Sequence, residues 1–226
     1  MMLLIHRIVT ALALNVLSWL LYGLILFTLY FAFIRDLQMN WGATSEEITQ
    51  AMMGDILLEE PDMNATRAIE IKAGPEEIWP WIVQIGYRRG GFYGFDNLDN
   101  GGCRSSDTIL LQYQDLQVGD SIPGGEYKGQ AFYILEVVGM EPGQEMAWIF
   151  LKDTPWAGAT WSWKVYGVDH KKSRLVSRLR HKYSFDSFQS LVAWSVIDAI
   201  EILMMRTTMR GIKMRAERIS AAAAGR

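Results

Sequence analysis

Residues 66–87 read TRAIEIKAGPEEIWPWIVQIGY, and this stretch indicates how the rest of the chain folds. Residues 67, 69 and 71 would lie on one face of an extended segment and residues 66, 68, 70 and 72 on the other. This period of two is typical of a half-buried strand. Gly74-Pro75 then breaks the strand, and proline suits the first position of a helix because the N–H it lacks has no partner there. Apolar side chains recur at helical spacing beyond Pro75 and predict a helix with one buried face.

The chain after residue 118 alternates between strand-forming runs and turns. Clusters of glycine and proline separate runs rich in β-branched and aromatic residues, at the short spacing expected of an antiparallel meander. Residues 118–123 (VGDSIP) predict a turn that leads into a short strand, and the runs after it predict four further strands, over residues 130–138, 146–152, 160–168 and 173–183.

The last element predicted by the sequence is a long helix, from residue 185 to about residue 221. Residues 191–205 are apolar on nearly every side, and only Asp198 and Glu201 interrupt them. We expect this half to be buried against the sheet, although contact with lipid or a partner protein is an alternative. The second half is basic. Ser184 or Asp186 could cap the helix, and the fold class predicted is α+β.

Several of these segments together resemble the SRPBCC superfamily, which contains START proteins, birch-pollen-allergen-like proteins and polyketide cyclases. The resemblance rests on the opening strand, the helix AGPEEIWPWIVQIG, the loop GGFYGFDNLDN and the turn DLQVGD, and it covers about residues 41–217. It implies the helix-grip fold, a curved antiparallel sheet wrapped on a long carboxy-terminal helix with a cavity between them. Within the superfamily the chain resembles a membrane-anchored subgroup.

An apolar segment precedes this domain. Residues 8–34 are 27 residues without a charge, and a bilayer core needs about 20 such residues. A cleaved signal peptide is the alternative, but bulky aromatic residues stand where small residues would flank a cleavage site. We therefore predict a transmembrane helix, in which Asn15 and Ser18 contact either a partner helix or their own backbone.

These segments divide the chain into four parts. We predict a transmembrane anchor over residues 1–36, an acidic connector over 37–65, the helix-grip domain over 66–220 and a short tail over 221–226. The connector carries six acidic residues and a short helix that starts near Thr44. We interpret it as a solvated spacer between the membrane and the domain.

Composition excludes some classes of function. A formal net charge of −3 argues against a general nucleic-acid-binding protein. A single cysteine, Cys103, cannot form an internal disulfide. The sequence has no nucleophile elbow, no phosphate-binding loop and no cluster with the spacing of metal ligands. We accordingly predict no catalytic residue, no metal and no cofactor.

A ligand-binding cavity is the best-supported kind of site. The resemblance places Tyr93, Phe95 and Asp96 near the cavity entrance, as part of a short capping helix and its loops. Large apolar side chains on strands and on the last helix are candidates for the lining, with ordinary core packing as the alternative. These candidates are Trp148, Trp161, Trp163, Met204 and Met205.

Three polar residues of the last predicted strand need separate interpretation. His181 could point into the cavity and exchange protons near neutral pH. Arg178 and Arg180 share one strand face and would bind an anionic ligand if that face were concave. Because Leu175 and Leu179 offer the better core face, we predict instead that both arginines lie on the convex face and contact solvent.

Three functions follow, in order of preference. The first is a membrane-anchored helix-grip domain that binds a hydrophobic small molecule or lipid without catalysis. The second, implied by the resemblance, is an enzyme of the polyketide cyclase or dehydratase type, with Arg178, His181, Asp96 and Tyr93 in acid–base and oxyanion roles. The third is an accessory subunit of a membrane protein complex.

The expected partners and location follow from the same features. We predict contact with membrane lipid through residues 8–34, a hydrophobic molecule in the cavity, other membrane subunits as further candidates, and no nucleic acid. The chain is predicted to be a single-pass membrane protein. The basic second half of the last helix favours the cytoplasmic side, where anionic headgroups are abundant.

Overall fold

The computed structural model of the chain describes residues 2–127, 130–151, 157–169, 171–183 and 187–225. It divides into two compact units, Met1–Met39 and Asn40–Arg226. The boundary falls three residues beyond the predicted end of the anchor.

The amino-terminal unit is helical throughout its described residues. Helix α1 (Met2–Leu29) continues through a π-helical turn (Tyr30–Ile34) into α2 (Arg35–Met39). Four polar side chains of α1 each donate to the carbonyl oxygen four residues earlier: those of Thr10, Asn15 (to Ala11 at 3.0 Å), Ser18 (to Leu14 at 2.8 Å) and Thr28. These polar groups are satisfied by their own backbone, as a helix in lipid requires.

Two helices are long and apolar enough to cross a bilayer, judged by length and composition. They are Met2–Met39, with a mean hydropathy of 2.0, and Phe188–Ala223, with a mean hydropathy of 1.5. Signal sequences and core helices of soluble proteins meet the same criteria, so these values are weak support for a span.

The second unit contains a six-stranded, fully antiparallel, curved sheet in the order β1-β6-β5-β4-β3-β2. Register shifts in the β2–β3, β3–β4 and β5–β6 pairs mark bulges or irregularities, which bend strands and increase their twist. The strands are β1 (Met63–Ile71), β2 (Ser121–Tyr127), β3 (Gln130–Glu141), β4 (Glu145–Phe150), β5 (Thr160–Asp169) and β6 (Lys172–His181).

The helices of this unit are α3 (Ser45–Thr49), α4 (Pro75–Val83), α5 (Asp96–Asp99) and α6 (Phe188–Ala224). Ser187 caps α6, with its hydroxyl accepting the Ser190 N–H at 3.1 Å. The predicted start of this helix at residue 185 and the predicted caps Ser184 and Asp186 lie outside the described residues. The α+β helix-grip architecture is confirmed.

Helix α6 lies over the inner face of the sheet. The side chain of Arg67 on β1 forms an ion pair with Glu201 on α6 at 2.7 Å, and both groups are largely buried. The hydroxyl of Tyr183, just beyond β6, bonds to Asp198 on α6. The two acidic residues that interrupt the apolar half of α6 therefore face inward, toward partners on and next to the sheet.

The outer face of the sheet is covered by residues 44–55 of the predicted connector. Met52 packs there against Ala68 and Val176. Glu47 of α3 is only 4% exposed and forms an ion pair with Arg174 at 2.7 Å. The interpretation of this segment as a solvated spacer is therefore wrong, because part of it is packed on the sheet.

Arg178 corrects a second expectation. It does lie on the face directed away from α6, as predicted, but it is 2% exposed rather than solvated. Its guanidinium donates to the carbonyl oxygens of Glu47 and Ile48 at 2.8 and 2.9 Å and pairs with Asp55 at 2.6 Å. Arg180 pairs with the same carboxylate at 2.8 Å. The two arginines are therefore bonded to the acidic connector, whereas the sequence analysis predicted that they contact water.

Candidate functional site

A cavity of about 540 Å³ lies between the inner face of the sheet, α6 and the loop that contains α5. Its volume is in the range of small-molecule sites, about 300–1,000 Å³. The lining residues are Tyr87, Phe92, Asn97, Leu98, Asp99, Gly101, Gly124, Gly125, Glu126, Tyr133, Phe150, Trp161, Leu179, Ile197, Ile200, Glu201, Met204, Met205 and Thr208.

Three of the nine residues predicted from sequence line this cavity: Trp161, Met204 and Met205. Trp161 is on the inner face of β5, and its indole N–H donates to the Ser177 hydroxyl at 2.9 Å. Phe92 stacks on the same indole with ring centroids 6.4 Å apart. This hydrogen bond and ring contact hold an aromatic surface in place on the sheet side of the cavity.

The other predicted tryptophans, Trp148 and Trp163, are fully buried next to Trp161 and are not part of the lining. Their ring centroids lie 5.1 and 5.3 Å from that of Trp161. His181 is also outside the lining, and its ring lies 4.8 Å from the Trp194 ring and 5.2 Å from the Tyr183 ring. These three residues support the sheet side of the cavity without facing it.

Tyr93, Phe95 and Asp96 lie in the loop beside the cavity and not in its lining. The Tyr93 hydroxyl donates to the Trp81 carbonyl oxygen at 2.9 Å, and its backbone has a φ of 61°. Asp96 accepts hydrogen bonds from the backbone and the side chain of Ser105. These contacts shape the loop. Ligand contact by these three residues and the other six predicted residues remains a prediction.

The polar end of the cavity is formed by Asp99 of α5. Its Oδ2 accepts the Phe95 N–H at 3.0 Å, and its Oδ1 is buried without a hydrogen-bond partner among the described residues. Burial, reinforced by the neighbouring Asp96 carboxylate, raises the pKa of Asp99 to about 6. Asp99 therefore changes charge close to neutral pH.

Glycine allows the loop to bring Asp99 against α6. A β-carbon on Gly94 would lie 3.0 Å from both Asp99 Oδ2 and Thr207 Oγ1, and 3.4 Å from Thr208 Oγ1. A β-carbon here would therefore be tighter than most real contacts, and the neighbouring side chains would have to shift by a few tenths of an ångström. Close approach of backbone is a common role of glycine.

A second carboxyl group, that of Glu201, lines the cavity from α6. Burial raises its pKa, and Arg67 at 2.7 Å opposes this effect. Arg67 reaches Glu201 from the inner face of β1 and is not in the lining. The carboxylate is thus held on the cavity wall by a cation that stands behind it.

The four residues expected for a cyclase-type enzyme do not converge. Arg178 is bonded to the connector on the outer face, whereas His181 is on the inner face and Tyr93 and Asp96 are in the loop. The acid–base arrangement predicted for them is therefore wrong.

Within the described part of the chain, no group of three or more His, Cys, Asp or Glu side chains has the arrangement of a metal site.

Sequence interpretation missed most of the lining. Leu179 and Phe150 could have been predicted as lining residues. Each is an even number of positions from an apolar residue of its own strand, Leu175 and Trp148 respectively, and therefore lies on the same face. The sequence offers Asp96, Asp99 and Asp107 alike as carboxylates near the presumed cavity mouth, either as an acid–base pair or, preferably, as loop-stabilising residues, and nothing local singles out Asp99. Its burial depends on α6, which begins 89 residues later in the sequence.

Comparisons with known proteins show only likeness of fold. No family model matches the chain, and no curated protein matches it. Similar solved structures include the Aha1 dimer from Colwellia psychrerythraea (15% identity, TM-score 0.41, covering 67% of this chain and 97% of that chain). A protein from Thermobifida fusca has 11% identity and a TM-score of 0.46, and the match covers 69% of this chain and 93% of that one.

The di-domain ARO/CYC protein StfQ, from the steffimycin biosynthetic pathway, is similar at 12% identity with a TM-score of 0.47. The match covers 70% of this chain and 51% of StfQ. At these identities and scores, the comparisons contribute nothing to the choice of function, which rests on the cavity.

Proposed function

We propose that this chain is a membrane-anchored helix-grip domain that binds a hydrophobic small molecule or lipid between its sheet and α6. The observation that carries the proposal is the cavity of about 540 Å³, whose wall is mainly aromatic and aliphatic. Apolar ligands bind in such cavities because both surfaces leave water. The few polar groups are concentrated in the loop and on α6, which suits a ligand with one polar position.

The anchor in this proposal is the helix of the first unit. No residue of α1 is buried, and the side chains of Thr10, Asn15, Ser18 and Thr28 are bonded to the backbone of the same helix. An uncharged stretch with these properties favours a lipid environment. We propose one span only, because α6 carries Asp198 and Glu201 on the face that meets the rest of its own unit.

The outward face of α6 supports a position close to the bilayer. Exposed apolar side chains follow one side of its first half, next to the cavity-lining residues Ile197 and Met204. They are Phe188, Val192, Val196, Leu203 and Ile200, of which Ile200 also lines the cavity. Such a stripe would let an apolar ligand pass between lipid and the cavity with little contact with water.

Extraction of bound ligand tests the proposal. The full-length protein, purified in a mild detergent, should yield a co-purifying apolar compound by solvent extraction and mass spectrometry. Met204→Trp should reduce its amount, because the larger side chain fills space in the cavity. The matched control is Leu203→Trp, next to Met204 but 57% exposed and outside the lining. Absence of ligand from the unmodified protein, or equal yields from both variants, would overturn the proposal.

Association with other membrane subunits is a secondary proposal, supported by the apolar surface of the anchor. Gentle solubilisation followed by native electrophoresis tests it. Migration with a larger assembly supports a subunit role, and migration as a single chain opposes it.

A further inference from the structure

The acidic lining of the cavity carries information about the ligand, and the inference drawn from it rests on the ligand-binding function proposed above. We propose that the cavity selects an apolar molecule bearing a hydrogen-bond donor, a hydroxyl or a protonated amine, which it presents to the Asp99 carboxylate. Anionic amphiphiles are excluded from the same site.

One carboxylate oxygen of Asp99 is unpaired among the described residues. The residue is 6% exposed and lines the cavity, and its Oδ1 has no hydrogen-bond partner among the described residues. A buried acceptor without a partner is costly, so native proteins seldom retain one without a role. A donor on the ligand would satisfy this oxygen.

The charged side chains in the described lining all have the same sign. Asp99, Glu126 and Glu201 line the cavity, whereas no lysine, arginine or histidine is in the lining that the structure describes. The guanidinium of Arg67 pairs with Glu201 from behind, and that of Arg88 lies 3.8 Å from Glu126 with a largely exposed side chain. A carboxylate or phosphate group of a ligand would meet the negative charge of three carboxylates in this lining, and no cation there would offset the repulsion.

The groups around Asp99 determine whether its charge is neutralised. The Asp96 carboxylate on the same helix and the Tyr133 phenol on β3 both interact electrostatically with Asp99. Helix α6 contributes the uncharged hydroxyls of Thr207 and Thr208 beside Gly94. None of these groups supplies a cation to neutralise Asp99, so a cationic or hydroxylated ligand meets no competing positive charge there.

The state of Asp99 then links binding to pH. The ionised carboxylate accepts a donor more strongly than the protonated acid does. Since burial raises the pKa of Asp99 to about 6, affinity for donor-bearing ligands should increase as pH rises through this value. A ligand that carries only a carbonyl acceptor would show the opposite dependence, because protonated Asp99 would be its donor.

Four probes with one skeleton test the inference on the full-length protein in nanodiscs. They are 9-methylanthracene, 9-anthracenemethanol, 9-(aminomethyl)anthracene and anthracene-9-carboxylate. Binding is followed at pH 7.5 by energy transfer from tryptophan, with Trp161 in the lining as a donor, after subtraction of empty nanodiscs. We expect the alcohol and the amine to bind about tenfold more tightly than the methyl compound. The carboxylate should bind most weakly.

Asp99→Asn should remove most of the advantage that the alcohol and the amine have over the methyl compound. The matched control is Asp115→Asn, at an exposed carboxylate outside the lining, which should behave as the unmodified protein. If Asp99→Asn does not fold, the unmodified protein still decides: the advantage of the alcohol over the methyl compound should shrink at pH 5.

The outcomes separate this inference from the function it rests on. If none of the four probes binds, ligand binding itself is contradicted. If the methyl compound binds but the alcohol and amine have no advantage, or the carboxylate binds most tightly, the cavity stands and the donor selection is wrong. A pH-independent advantage of the alcohol would also overturn it.

Discussion

At the scale of single residues, Arg178 shows how a surface-like residue becomes structural. Three carbonyl oxygens at the end of α3, those of Glu47, Ile48 and Gln50, accept hydrogen bonds from its guanidinium. The end of a helix leaves such oxygens without partners, and here an arginine on the sheet supplies them. One side chain therefore joins the connector to the sheet.

We expect Arg178→Met to lower the free energy of unfolding by about 3 kcal/mol, because three buried carbonyl oxygens lose a charged donor. This loss of stability is at the lower end of the range for a broken buried ion pair, about 3–5 kcal/mol. The reason is that the Asp55 carboxylate remains paired with Arg180 at 2.8 Å. Denaturant unfolding of the full-length protein in detergent measures it. Arg104→Met, at a side chain that is 82% exposed, is the control and should change stability by less than about 0.5 kcal/mol. Equal effects would contradict the role of Arg178.

Asp99 gives a second prediction at this scale. Its pKa is raised to about 6 in the folded protein, so the folded state holds this proton more tightly than the unfolded state does. Stability due to Asp99 is therefore full below its ordinary pKa and is lost as pH rises through about 6. Glu201, whose pKa burial also raises, changes stability in the same direction.

Asp99→Asn removes this ionisation, so the variant should gain stability relative to the unmodified protein between pH 5 and pH 7.5. Thermal unfolding at the two pH values measures the difference. Asp115→Asn should show no such pH-dependent gain. A constant difference between Asp99→Asn and the unmodified protein at both values would mean that Asp99 titrates outside this interval.

At the scale of elements, α6 has two faces with different tasks. Its inward face carries Asp198 and Glu201 to partners on and next to the sheet, and lines the cavity with Met204 and Met205. Its outward face is apolar in the first half. The basic residues of the second half are largely occupied within the domain: Arg215 pairs with Asp107 at 3.2 Å, and Arg206 lies 4.9 Å above the Trp41 ring.

This division predicts lipid contact for one part of α6 only. A photoreactive p-benzoylphenylalanine at Val196, which is 53% exposed on the apolar stripe, should crosslink to phospholipid in nanodiscs. The same group at Met214, 65% exposed in the second half of the helix, is the matched control and should not. Mass spectrometry of the crosslinked peptides gives the result, and equal crosslinking at both positions would contradict a bilayer-facing stripe.

At the scale of the whole molecule, the chain consists of a helical unit that suits lipid and a domain that encloses a cavity. We propose that joining the two keeps the domain at a membrane, where the local concentration of apolar molecules is high. In our proposal the helix determines the location and the domain determines what is bound.

The side of the membrane can be tested with the single cysteine. Cys103 is exposed in the α5 loop. We propose a cytoplasmic domain, so a membrane-impermeant maleimide should label Cys103 only after cells expressing the chain are permeabilised. Cys103→Ser is the control for labelling of other groups. Labelling of intact cells would place the domain on the other side.

Local sequence was sufficient for the elements of this protein. Alternation in residues 66–72 indicated β1, Gly74-Pro75 indicated the start of α4, and the strand pattern after residue 118 indicated the meander. These features depend on backbone preferences and on a side-chain period, and both act between near neighbours. The inner and outer faces of β6 followed from the same period, so Arg178 was assigned to the correct face.

The tertiary structure alone decided what each face meets. The connector packs over Arg178, and α6 buries Asp99 and places Glu201 on the cavity wall. These contacts join residues 123, 128 and 134 positions apart for the pairs Arg178–Asp55, Arg178–Gln50 and Arg67–Glu201. The solvation and the charge state of a side chain depend on all the groups within a few ångströms of it. Separation along the sequence does not show which groups those are.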